Sequence, residues 1–109
     1  MDSLLNFFKA LGDETRLRIL VLLYKQDFCV CELTEILDLT QPKVSKHLSK
    51  LKDLGFVRTE RKQLYIYYKL ALEDEHKLDI LKNIRENLSL YTQLHQDDQS
   101  VATCTLMNR

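Results

Sequence analysis

The stretch LTQPKVSKHLSKLKDLGFVRTERKQLYIYYKL, residues 39–70, changes its periodicity halfway along. Over residues 41–53 the apolar side chains Val44, Leu48 and Leu51 fall at helical spacing, which predicts a helix with those three facing inward. Thr40 stands where an N-cap belongs, Pro42 falls in the first turn, where a missing N–H costs nothing, and Gly55 closes the helix. From Phe56 the period drops to two. Phe56-Val57 opens one strand, Arg61-Lys62-Gln63 makes a polar turn, and Leu64 to Leu70 forms a second strand. In that strand Tyr65, Tyr67 and Lys69 alternate with Leu64, Ile66, Tyr68 and Leu70.

Upstream, three helices are predicted. Leu4, Leu5, Phe7, Phe8 and Leu11 share helical spacing that ends at Gly12; Asp13 caps a second helix through Leu17, Leu20, Val21 and Tyr24. A short third helix runs from Val30 to Leu37, and Asp38-Leu39 is a tight connection to the helix at 41–53. Downstream, residues 72–94 read as one long helix through Leu78, Leu81, Ile84, Leu88 and Tyr91. The fold expected is mainly α: four helices, a β-hairpin and a long C-terminal helix, in one domain over residues 1–95. The polar, aperiodic stretch 96–109 is expected to be a flexible C-terminal tail.

Composition agrees with helices. The 109 residues include 22 leucines but only two glycines and one proline, with 45% apolar and 29% charged residues, an ordinary globular balance. The apolar run ILVLLY at 19–24 is far too short to cross a bilayer, and the N-terminus has no basic region or cleavage site of a secretory signal. Three cysteines, an odd number, predict reduced thiols in a cytoplasmic protein. No membrane partner is expected.

The net charge is zero, yet its distribution is uneven. Residues 41–69 carry eight Lys or Arg and two acids, a local net of +6, and the rest of the chain is −6. Such a patch is the footprint of a polyanion-binding face. Two short helices joined tightly, the second basic outside, form a helix-turn-helix unit, and a basic-tipped hairpin directly after it makes a wing. Thr40, Gln41, Lys43, Ser45, Lys46, His47 and Lys50 are therefore the candidate contacts to double-stranded DNA on the recognition helix. Arg61, Lys62 and Gln63 at the wing suit its backbone or minor groove. An enzyme is not expected: the chain has no C-x-x-C, no βαβ pattern and no glycine-rich phosphate loop.

LGDETRLRIL at 11–20, CVCELTEIL, LTQPKVSKHLSKLKDLGFV and YIYYKL together resemble the ArsR/SmtB family of winged-helix repressors over about residues 4–94. The resemblance implies a homodimer whose recognition helices enter successive major grooves of an inverted-repeat operator, about 34 Å apart. It also implies an interface from the first and last helices, here Leu4, Phe7, Phe8, Leu11, Leu81, Leu88 and Tyr91. It implies repression relieved by a metal or other inducer, with no obligatory cofactor.

Cys29-Val30-Cys31 is similar to the C-V-C-D-L-C motif of the arsenic-responsive members, with Thr34 at the third cysteine's position. That likeness makes As(III) or Sb(III) the expected inducer and Cys29 and Cys31 its ligands, with Cys104 the candidate third. A helix N-terminus lowers the pKa of a nearby thiol, which favours reactivity in this pair. Residues i and i+2 of a helix point apart, so ligation is expected to distort the first turn at 30–37 and shift the recognition helix packed on it. Moving such a switch from about 1:99 to 99:1 takes roughly 5.5 kcal/mol. A zinc site of the D-x-H type is incomplete: Asp74-Glu75-His76 lacks its later partners, with Asn87 and Leu90 in their places, and His95 is expected at the surface. The alternatives are a thiol redox or persulfide sensor pairing Cys29 or Cys31 with Cys104, or a sensor of another soft metal, on the same fold.

Overall fold

A computed structural model describes residues 2–107. The elements run α1 (Asp2–Leu11), α2 (Glu14–Lys25), β1 (Phe28–Cys29), α3 (Val30–Leu37), α4 (Gln41–Asp53), β2 (Val57–Lys62), β3 (Tyr65–Leu70), α5 (Glu75–Glu86), a 3₁₀ turn (Leu88–Leu90) and α6 (Thr92–Thr103). This is a winged helix-turn-helix. Caps set its boundaries: Asp13 accepts the Arg16 N–H at 3.0 Å to start α2, and Asp74 accepts the His76 N–H at 2.8 Å to start α5. Thr40 takes the N-cap position of α4 without a side-chain cap bond, and Gly55, at φ +80°, turns the chain into β2.

The core is a single cluster. Ile19, Leu20 and Leu22 of α2, Leu33 and Leu37 of α3 and Val44, Leu48 and Leu51 of α4 are all essentially inaccessible, with Phe28 and Val57 from the sheet. Phe7 and Leu81 are fully buried there too. Phe7 meets the Phe56 ring edge-on at 5.8 Å, so neither Phe7 nor Leu81 is available to a partner, contrary to the interface expected for them. Leu4, Phe8 and Tyr91 remain exposed, while Leu11 and Leu88 are partly buried.

Three further expectations are corrected. First, the hairpin turn is Gln63-Leu64, closed by the pair Lys62–Tyr65; Arg61 and Lys62 belong to β2. Gln63 has φ +57°, a left-handed conformation that costs a non-glycine residue about 1 kcal/mol. Second, the long helix over 72–94 is broken. Asn87 leaves helical geometry and its side chain donates to the Asn83 carbonyl at 2.7 Å, a local bond that competes with the helix.

Third, the expected tail is helical through residue 103 and docked, while its residues 108–109 lie outside the described residues. Its anchors are polar. Asp97 pairs with Arg18, and Arg85 donates to the Asp98 carboxylate at 2.6 Å and to the Val21 carbonyl at 2.9 Å. Leu94 and Cys104 add buried apolar surface.

The sheet order is β1-β3-β2, all antiparallel, and β1 pairs Phe28 with Tyr68 and Cys29 with Tyr67. A two-residue strand has no periodicity to read, and β1 was not foreseen.

Candidate DNA interface and thiol site

Helix α4 turns most of its polar side chains outward. Thr40, Gln41, Lys43, Lys46 and Lys50 are exposed, as are Arg61, Lys62 and Gln63 on the wing; Ser45 is half-buried. His47 turns inward. Its side chain is 13% exposed, and Nδ1 lies 3.7 Å from Asp13 Oδ1 at the start of α2. Burial lowers the His47 pKa against the opposing pull of Asp13. For Asp13, burial pushes the carboxyl up, but the Arg16 N–H and the charges of His47 and Arg16 outweigh it and hold the pKa low.

Cys29 is the N-cap of α3, in extended geometry. It forms a capping box with Glu32, whose Oε1 accepts the Cys29 N–H at 2.9 Å. Cys29 is therefore outside the helix, and the argument that two helical residues at i and i+2 point apart does not apply to it. Burial raises the Cys29 thiol pKa and outweighs the favourable backbone hydrogen bond from Glu32, so the helix-terminal lowering expected for this thiol is reversed. Cys31, in the first turn, is exposed.

Cys29 and Cys31 both line one cavity of about 660 Å³, walled also by Glu32, Lys62, Gln63, Tyr65, Tyr67 and Leu106. Wing and thiols thus share a wall. The Lys62 ammonium sits 5.6 Å from the centre of the Tyr67 ring, and Tyr67 is the sheet partner of Cys29. The tyrosines were missed as site residues; their alternation along β3 placed them on one face, but only β1 reveals what that face meets.

Cys104 does not line the cavity. It is buried at the end of α6, where burial and a hydrogen bond to Glu35 raise its pKa. Glu35 is one turn along α3 from Cys31, and its carboxylate also accepts the Thr105 N–H at 2.6 Å. Hydrogen bonds from Cys104 and then from Thr105 hold the Glu35 pKa low. Thr34 Oγ1 is buried with no hydrogen-bond partner. Among the described residues no three His, Cys, Asp or Glu side chains group as a metal site, and no helix is long and apolar enough to cross a membrane.

A family model described as "Bacterial regulatory protein, arsR family" matches residues 13–59. The chain is 41% identical over 75 residues to the arsenic resistance transcriptional regulator ArsR1 of Pseudomonas putida, covering 68% of this chain and 59% of that one. It is 43% identical over 72 residues to the arsenical resistance operon repressor of Bacillus subtilis, covering 65% of this chain and 69% of the relative. Among solved structures, reduced HlyU from Vibrio cholerae superposes with a TM-score of 0.72 at 28% identity, over 83% of this chain and 90% of that one. The match spans about three fifths of the length of the first curated relatives, 58–60%. These relatives are named as regulators, not enzymes.

Proposed function

Because the chain belongs to the arsR family of bacterial regulatory proteins, we propose that it is a transcriptional repressor released from DNA when As(III) or Sb(III) binds Cys29 and Cys31. One observation carries this reading: Cys29 and Cys31 both line a cavity whose other wall is the wing. The exposed cations of α4 and β2 supply the phosphate-binding charge, and the polar side chains of α4 supply groups that can read base edges. Exposed Leu4, Leu5 and Phe8 on α1, with Leu90 and Tyr91 before α6, give a second copy an apolar surface to cover. A homodimer built there would set two recognition helices on the halves of an inverted-repeat operator.

The donor set suits a thiophilic metalloid, with two soft sulfurs on one cavity. The metalloid supplies covalent bonds to sulfur, each formed as a thiol proton leaves with one of its hydroxides as water. The chain supplies the transmission. Cys29 is at once the cap of α3 and the sheet partner of Tyr67, so moving its sulfur toward Cys31 strains the cap and the β1–β3 rung together. That displacement reaches β3 and the Lys62 ammonium over Tyr67 without passing through α4. The wing is thereby a shorter route to DNA than the recognition helix.

Fluorescence anisotropy on the DNA upstream of the protein's own gene, titrated with arsenite under excess reductant, tests this. Salt-sensitive binding, released by arsenite in the wild type but not in Cys29→Ser/Cys31→Ser, is expected. Release that survives the double substitution would sink the thiol assignment.

A second reading makes the thiols a redox pair. It is favoured by the seat of Cys104 against Glu35, one turn from Cys31. Oxidation would join two sulfurs, with two protons and two electrons passing to an oxidant. Loss of two hydrogens by mass, together with loss of DNA affinity, distinguishes it.

A further inference from the structure

The two faces of the wing do different things. Residues directly opposite in an antiparallel pair share a face. Arg58 with Lys69, Glu60 with Tyr67 and Lys62 with Tyr65 therefore lie on one face, together with Cys29 opposite Tyr67. That face is occupied: Lys69 bonds Glu60 at 3.1 Å, and Tyr65, Tyr67 and Lys62 wall the thiol cavity. The other face carries Val57 with Leu70, Thr59 with Tyr68, and Arg61 with Ile66. Its inner end, Val57, Leu70 and Tyr68, packs on the core that also holds α4. Its outer end runs past the body. Ile66 is 51% exposed, and Leu64, in the turn, is 87% exposed, the most exposed large hydrophobic side chain among the described residues.

A two-residue hairpin turn is ordinarily built from polar or glycine residues that accept its backbone geometry. Here Gln63 takes the left-handed conformation instead, and the residue it throws outward is a leucine. The folded protomer gains little buried area from that leucine. Arg61 lies across the strand from Ile66 on this same face, and Lys62, on the other face, closes the turn through its pair with Tyr65; both cations are exposed.

We propose that Leu64, with Ile66 behind it, is an apolar wedge that the wing inserts into the minor groove of bound DNA. Arg61 beside Ile66, with Lys62 at the base of the turn, chooses the occupant: cations around an apolar tip complement the sugar and base edges of a groove bordered by phosphates. The tip supplies contact area where the cations supply charge, and so adds shape- and deformability-dependent specificity at positions α4 does not reach. The inference rests on the DNA-binding reading above, and its test separates the two.

Wild type, Leu64→Gln and Lys62→Ala are compared on a duplex carrying the DNA upstream of the protein's gene. Affinity is followed against salt, minor-groove protection is read by hydroxyl-radical footprinting, and mass is measured by sedimentation. Leu64→Gln is expected to weaken binding about tenfold with the salt slope unchanged, because the lost contact is apolar. It should also erase the footprint where the wing lies. Lys62→Ala should lower the salt slope by about one. Unchanged affinity and footprint in Leu64→Gln would overturn the wedge while leaving DNA binding intact. A fall in sedimenting mass would overturn it in favour of a second copy as the tip's partner. Failure of the wild type to bind any duplex with salt dependence would overturn the DNA reading and the wedge with it.

Discussion

Arg18 on α2 and Asp97 on α6 meet in a buried two-pronged ion pair, Nε to Oδ2 at 2.8 Å and Nη2 to Oδ1 at 2.9 Å, 79 residues apart in the chain. The same guanidinium donates to the Leu37 carbonyl at 2.9 Å, and Gln93 donates to Asp97 at 3.0 Å. One planar cation thus holds α6, α2 and the end of α3 together. Asp97→Ala should cost about 3–5 kcal/mol by chemical denaturation, because it strands a buried charge. Arg18→Met with Asp97→Leu should recover most of that loss, less about 1 kcal/mol for the Leu37 carbonyl. A single substitution near wild type would show that α6 is held by something else.

Thr34→Val should stabilise the protein by about 1 kcal/mol. The hydroxyl is buried without a partner, and valine keeps its shape while removing the unmet polar atom. Loss of stability instead would mean that the hydroxyl does find a hydrogen-bond partner in solution.

Alkylation separates the three thiols. Cys31 is exposed, while burial raises the pKa of Cys29 and, with help from Glu35, of Cys104. Iodoacetamide should label Cys31 at least about tenfold faster than the other two, whose rates should still be climbing above pH 8.5. Peptide mass mapping over time checks the order. Equal rates would contradict the burial of Cys29 and Cys104.

Acid should act through His47. Its pKa is lowered in the folded protein, so the unfolded chain takes up the proton first. The stability this involves is intact above about pH 6.5 and falls as pH drops from there through the folded-state value. Between pH 7.5 and 5.5 the melting temperature of the wild type should therefore fall more than that of His47→Gln. Parallel curves would place His47 in solvent.

Residues with a regular apolar period were legible. Val44, Leu48 and Leu51 marked the buried side of α4, with Thr40 and Gly55 near its ends, and the short helix expected from Val30 to Leu37 is α3. The C-terminal region was misread because its anchors, Arg18, Arg85, Asp97 and Asp98, are polar and distant in sequence. The break at Asn87 likewise interrupts an apolar pattern that looks continuous along the chain. At the site, Cys29 and Cys31 stood out by their likeness to the C-V-C-D-L-C motif. That Cys29 is a strand partner of the wing depends on a two-residue pairing with no local signal.

The Arg18–Asp97 pair also sets a clock on biosynthesis. When Arg18 is added to the chain, its carboxylate partner has not been made. Adding the 79 residues that bring in Asp97, at 5–20 residues per second, takes roughly 4–16 s, and for that interval the guanidinium has water rather than a carboxylate as its partner.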